Sequence, residues 1–128
     1  MARKDSARGK ALELRIGRVF GGRRRRNGEG VGFDDCVDDN GFQLPISIEC
    51  KSYSVLQLRQ SWLDQALRNA GERPWLIVQK PKGSRRTLVT LELDTLIDPS
   101  FHETLVGLTE RTPTTPEEGT SADEGEGN

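Results

Sequence analysis

Residues 42–51 run Phe-Gln-Leu-Pro-Ile-Ser-Ile-Glu-Cys-Lys, and the fold class follows from how this stretch is read. In an extended chain successive side chains point to opposite sides. Leu44, Ile46, Ile48 and Cys50 therefore share one face, while Ser47, Glu49 and Lys51 share the other. The first face predicts a strand anchored in a core. The second sets a carboxylate and an ammonium side by side, which suits a reactive site or a plain surface ion pair. Upstream, Asp38-Asp39-Asn40-Gly41 is a turn signal, and Val31 to Val37 reads as a short partner strand carrying Asp34 and Asp35. A two-residue Asn40-Gly41 hairpin would set Asp35 opposite Ile46, and Asp34 opposite Ser47 on the face of Glu49. For Asp35 to meet Glu49, the loop must be longer or a bulge must shift the register. Pro45, which cannot donate to a ladder, is the natural place for a bulge.

Working outward, Leu12, Ile16, Val19 and Phe20 recur at helical spacing, so residues 7–20 predict an amphipathic helix stopped by Gly21-Gly22. A second helix is expected over residues 56–70, with Leu58, Trp62, Leu63, Ala66, Leu67 and Ala70 on its buried side and Gly71 as its stop. Residues 75–79 form an apolar strand, residues 80–84 a basic turn, and residues 87–93 an alternating partner strand. Leu96, Phe101 and Leu105 should cover one end of the sheet. The order α-β-β-α-β-β defines a small α/β or α+β domain with a central sheet.

The 128 residues suit one domain. All thirty Leu, Ile, Val and Phe residues lie between Leu12 and Leu108, which confines the folding unit to about residues 7–108. Residues 1–6 then form a basic disordered start and residues 109–128 an acidic disordered tail. No apolar run has the length of a membrane span, and the polar N-terminal stretch lacks the apolar core of a signal peptide. Cys36 and Cys50 are too few for a disulfide scaffold or a four-ligand zinc site.

A formal net charge of -1 hides a strong partition. Residues 1–26 hold ten basic and two acidic side chains, whereas residues 112–128 hold five acidic and no basic ones. The basic arm ends in Arg23, Arg24, Arg25 and Arg26. It fits phosphate binding by counterion release, or a solvated charge run. Lys80, Lys82, Arg85 and Arg86 crowd one turn and carry the same two readings.

Two carboxylates at a sheet rim can hold a hard divalent cation, with carbonyls and waters completing the oxygen shell. A nearby lysine can orient the attacking water or stabilise charge at a phosphate. His102 is the only histidine and lies beyond these motifs, which argues against a histidine-based nuclease mechanism.

Four features occur in order: Glu13 within Gly9-Lys10-Ala11-Leu12-Glu13; the acidic pair before Cys36-Val37; Ser47-Ile48-Glu49-Cys50-Lys51-Ser52-Tyr53; and the helix from Trp62 to Ala70. This arrangement resembles the PD-(D/E)XK nuclease superfamily, and most of all its Holliday-junction-resolvase-like branch with the small phage-encoded members. The resemblance covers residues 7–95. It implies a restriction-endonuclease-like core, a central mixed β-sheet flanked by helices in the order α-β-β-(β)-α-β-β. It implies Asp35 and Glu49 as metal ligands with the Cys50 backbone carbonyl as a third oxygen, and Asp34 as the alternative to Asp35. Lys51 would position the nucleophilic water, and Glu13 would reach the site from the first helix, unless it is a solvated flank residue. Where the family has Gln-Ala late in the second helix, this chain has Asn69-Ala70. Asn69 and Gln65 are then either supports of the site or ordinary structural amides.

The resemblance further implies an Mg²⁺-dependent DNA endonuclease, with Mn²⁺ able to substitute, acting on branched DNA as a homodimer in the cytoplasm of a bacterial host. The arginine arm and the 80–86 turn would hold the DNA backbone without reading sequence. A restriction- or repair-type nuclease on other DNA, and a catalytically silent DNA-binding or packaging accessory protein, are the alternatives.

Overall fold

The computed structural model describes residues 2–26, 29 and 34–110. Its elements are α1 (Ala2–Val19), β1 (Arg23–Arg24), β2 (Cys36–Val37), β3 (Ser47–Lys51), α2 (Gln60–Ala70), β4 (Trp75–Gln79), β5 (Leu88–Thr90), α3 (Leu93–Leu96) and α4 (Pro99–Thr109). The fold is mixed α/β. β3 and β4 pair in parallel with Glu49 opposite Ile77 and Lys51 opposite Gln79, and α2 makes the crossover between them. β5 adds antiparallel to β4, giving the three-stranded mixed sheet β3-β4-β5. β1 and β2 form a separate antiparallel pair, which meets the larger sheet where the Asp35 N–H donates to the Ile48 carbonyl at 2.9 Å.

Helices cover both faces of the sheet. Leu12 and Ile16 of α1 and Phe20 just beyond it, with Phe101 and Leu108 of α4, pack on Ile46, Ile48, Leu76 and Val78. On the opposite face Trp62, Ala66 and Ala70 of α2 pack on Trp75 and Ile77. This two-sided cover is why β4 reads as a continuous apolar run, since a strand buried on both faces has no solvent side. It also decides between the two readings of the polar face of β3. Ser47 and Glu49 face α2 rather than water, and Glu49 is 1 % exposed.

Several boundaries move. α1 begins at Ala2, so the stretch read as a disordered start is helical there. α2 begins at Gln60 rather than near residue 56, and Leu58 and Leu67 are exposed rather than on its buried side. Leu96 is likewise exposed, while Phe101 is buried and Leu105 packs against the core. Among the described residues the strand expected over 31–37 is confined to Cys36–Val37; residues 31–33 lie outside them, as does the acidic tail from residue 111. The basic arm, which fitted either a phosphate-binding segment or a solvated charge run, contains strand β1.

The turn after β2 explains the register. Asp38 accepts N–H bonds from Asn40 and Phe42 on Oδ1 at 2.8 and 2.9 Å, and Gly41 takes the left-handed conformation at φ 86°. The loop is therefore three residues, Asp39 to Gly41, and Val37 bridges Gln43. Between that bridge and the Asp35–Ile48 hydrogen bond, two steps on one strand answer to five on the other. Leu44-Pro45-Ile46-Ser47 takes up the excess. Both the longer loop and the irregularity at Pro45 are present, and together they bring Asp35 alongside Cys50.

Candidate active site

β3 carries Glu49 and Lys51 to the α2 face, and α2 meets each with an amide. Asn69 Nδ2 donates to Glu49 Oε2 at 2.7 Å, and Lys51 Nζ donates to Gln65 Oε1 at 3.0 Å. The two amides stand four residues apart, one helical turn, matching the two-residue spacing of the groups they serve. Trp62, from the first turn of α2, lies under the ammonium, 5.4 Å from Lys51 Nζ to the ring centroid.

Asp35 approaches from the β2 side. Its Oδ2 accepts the Cys50 N–H at 2.7 Å, doing the work of a strand carbonyl with a side chain. Among the described residues, Asp35 Oδ1 and Glu49 Oε1 accept no hydrogen bond. Each carboxylate is thus braced through one oxygen and open at the other. Burial, and then the Glu49 charge, push the Asp35 carboxyl up from 3.8 to about 7. Burial also raises the Glu49 carboxyl, against the lowering influence of the Asn69 hydrogen bond and the Lys51 charge. The pair is short of positive charge.

Asp34 serves a different purpose. At 2 % exposure it accepts from Ser47 Oγ at 2.7 Å and from Arg73 Nη1 at 2.7 Å and Nη2 at 3.3 Å. Arg73 also donates to the carbonyls of Leu44 and Asn69, at 2.9 and 2.8 Å. One buried ion pair therefore ties the irregular stretch before β3 to the end of α2 that carries Asn69. Arg73 went unnoticed in the sequence. Its place just beyond the helix, four residues after Asn69, was the available signal.

Glu13 lies close enough for its charge to raise Asp35, but its Oε1 accepts from Arg24 Nε at 2.6 Å. Arg23 forms a two-pronged pair with Glu29 at 2.8 and 2.6 Å, and Arg25 Nε donates to the Asp34 carbonyl at 2.9 Å. Three of the four arm arginines are thus engaged within the protein, and Arg26 is the exposed one. In the 80–86 turn Lys82, Arg85 and Arg86 are exposed and Lys80 is half-buried. This turn follows Gln79, the partner of Lys51, so it lies at the site's end of the sheet.

Cys50 and Cys36 are free; the neighbouring Cys36 thiol, and then burial, push the Cys50 thiol up, while Cys36 Sγ meets the Glu13 carbonyl, so both read as packing groups. His102 sits on α4 against the Leu96 carbonyl, away from these residues. A cleft of about 410 Å³ lies near the start of β4, lined in part by Pro45, Arg73, Trp75 and Phe101, and includes none of Asp35, Glu49 or Lys51.

The donor set fits a hard cation in part. Two oxygen ligands with open lone pairs and raised carboxyl pKa values suit Mg²⁺, which takes one or two protein carboxylates and fills the rest of its shell with water and phosphate. Among the described residues no group of three or more His, Cys, Asp or Glu side chains could hold a metal, so Glu13 joins no such cluster. Nor is any helix among them long and apolar enough to cross a membrane. Comparison with family models, with curated proteins and with solved structures produced no match.

Proposed function

We propose that the protein is a metal-dependent DNA endonuclease that cuts branched DNA. The observation that carries this reading is the pair Asp35 and Glu49, each braced through one oxygen and open at the other, beside an oriented lysine. Asp35, Glu49 and the Cys50 carbonyl would hold Mg²⁺ or Mn²⁺. The bound cation would polarise a phosphoryl oxygen and lower the pKa of its water. Asn69 fixes the Glu49 carboxylate, and Gln65 with Trp62 fixes the Lys51 ammonium, so neither group needs to reorganise when a phosphate arrives. Lys51 then orients the attacking water or steadies charge on the phosphate. Lys82, Arg85 and Arg86 are placed to take neighbouring phosphates at the same end of the sheet. A chain with one such site cuts both strands of a junction as a symmetric homodimer.

Incubation with a four-way junction and with linear duplex, each with Mg²⁺ or EDTA, tests the proposal. Junction cutting that needs Mg²⁺ and disappears in Glu49→Ala and Lys51→Ala, with binding retained, is the expected result. Tight binding without cutting of either DNA would overturn the enzyme and leave a binding protein.

A further inference from the structure

The segment between β3 and α2, residues 52–59, has features that packing among the described residues does not explain. Its two ends are clamped together. The Arg59 guanidinium lies 5.0 Å from the Tyr53 ring centroid and 5.2 Å from that of Trp62, and the two rings are 5.0 Å apart. Within the clamp the tip is braced by Gln57. The Gln57 N–H donates to Gln79 Oε1 at 3.3 Å, and Arg59 Nε donates to Gln57 Oε1 at 2.8 Å. Yet the tip holds Val55, Leu56 and Leu58 out to solvent at 67, 52 and 49 % exposure. Three apolar side chains held by a braced loop, four to seven residues from Lys51, constitute a surface without a partner among the described residues.

The surroundings select the partner. Arg59 and Lys51 stand at the base of the loop, and Gln79 pins the tip next to the strand end from which the basic 80–86 turn departs. Apolar groups ringed by cations match nucleic acid, whose phosphates meet the cations and whose base faces meet the apolar atoms. Parting a stacked base step costs a few kcal/mol in continuous duplex and least where pairing is already interrupted.

We propose that Val55, Leu56 and Leu58 form a wedge that enters a base step at a branch point, so that this loop supplies the preference for branched over linear DNA. The proposal takes its DNA partner from the nuclease reading, but its readout does not require cutting. The probe is 2-aminopurine at the branch of a four-way junction and at a matching position in linear duplex, with EDTA present to prevent hydrolysis. Wild type should raise the fluorescence of the branch base and leave that of the linear duplex unchanged. Val55→Ser/Leu56→Ser, with an unchanged melting temperature, should abolish the rise and lose about tenfold in junction affinity while keeping its affinity for linear duplex. Leu58→Ser, made independently, should weaken the rise.

The wedge is overturned if wild type binds the junction without a fluorescence rise, if it binds neither DNA, or if the double variant keeps both the rise and the affinity. Loss of a wild-type dimer in the double variant would make the tip a subunit contact and overturn the wedge equally. Unstacking without Mg²⁺-dependent cutting would sink the nuclease reading alone, whereas cutting without unstacking would sink the wedge alone.

Discussion

Residues 23–26 and residues 80–86 each carry four basic side chains, yet the fold engages three of the first set within itself and leaves most of the second in water. Arg23 is paired to Glu29, Arg24 to Glu13, and Arg25 to the Asp34 carbonyl, while the Arg25 N–H donates to the Asp35 carbonyl at 2.9 Å. The first segment is therefore a buttress for the acidic pair. Lys82, Arg85 and Arg86 enter no ion pair among the described residues and remain available to a ligand. Charge density alone does not separate the two cases. What separates them is whether carboxylates and carbonyls lie within reach after folding.

Five experiments would break or sharpen that contrast. The largest effect is expected from Asp34→Ala, which keeps the backbone carbonyl that Arg25 uses but removes the acceptor of Ser47 Oγ and leaves the Arg73 guanidinium without its carboxylate. Denaturant unfolding should show a loss of about 4 kcal/mol. Asp35→Asn, which keeps an acceptor for the Cys50 N–H, should instead preserve stability and lose cleavage; full activity in Asp35→Asn would count against Asp35 as a ligand. Next comes Gly22→Ala at the root of β1. A Cβ there would lie 2.0 Å from the Val37 carbonyl oxygen, so the backbone must shift. The expected cost is about 3 kcal/mol, read as a melting temperature lower by about 15 °C.

Lys82→Ala/Arg85→Ala/Arg86→Ala should leave stability within about 0.5 kcal/mol of wild type. The slope of log affinity for DNA against log salt should fall by about 2.7, which a binding series across salt concentrations measures. The same triple substitution costing stability would erase the distinction between the segments.

The smallest effect is a pH dependence. The hydrogen bond from Arg23, and then that from the Arg26 N–H, hold the Glu29 carboxyl down from 4.5 to about 2. The folded state therefore binds fewer protons than the unfolded chain between these values, and the stability Glu29 contributes is complete above that window. It disappears as pH falls through the window, and Glu29→Gln should flatten this part of a pH series of urea midpoints.

Much of the sheet was legible because it depends on local alternation. Residues 75–79 form the expected strand, and the α2 face of β3 follows from Glu49 and Lys51 standing two apart. Asn69 and Gln65 could be placed on the inward side of a helix from spacing alone. The pairing of the arginine arm was not legible, because Glu13 and Glu29 lie eleven and six residues from their partners and meet them through tertiary packing. The register was open for a related reason. It depends on a three-residue turn and a four-residue irregular stretch, and neither leaves a periodic trace. Leu58 broke the helical reading because its spacing fits a helix while the clamp of Arg59 on Tyr53 holds the chain in another path.

The bond between the Asp35 carboxylate and the Cys50 N–H has a consequence for the order in which the molecule opens. That amide is sealed by a side chain from the residue just before β2 and flanked by a parallel strand pair that exists only after α2 has crossed over. Fraying at either end of the chain does not release it. Its hydrogen exchange should therefore track global unfolding, whereas the amides of the 80–86 turn exchange through local fluctuations. Asp35, Glu49 and the Asn69 amide that braces Glu49 should then form or vanish as a unit, together with the Lys51–Gln65 contact.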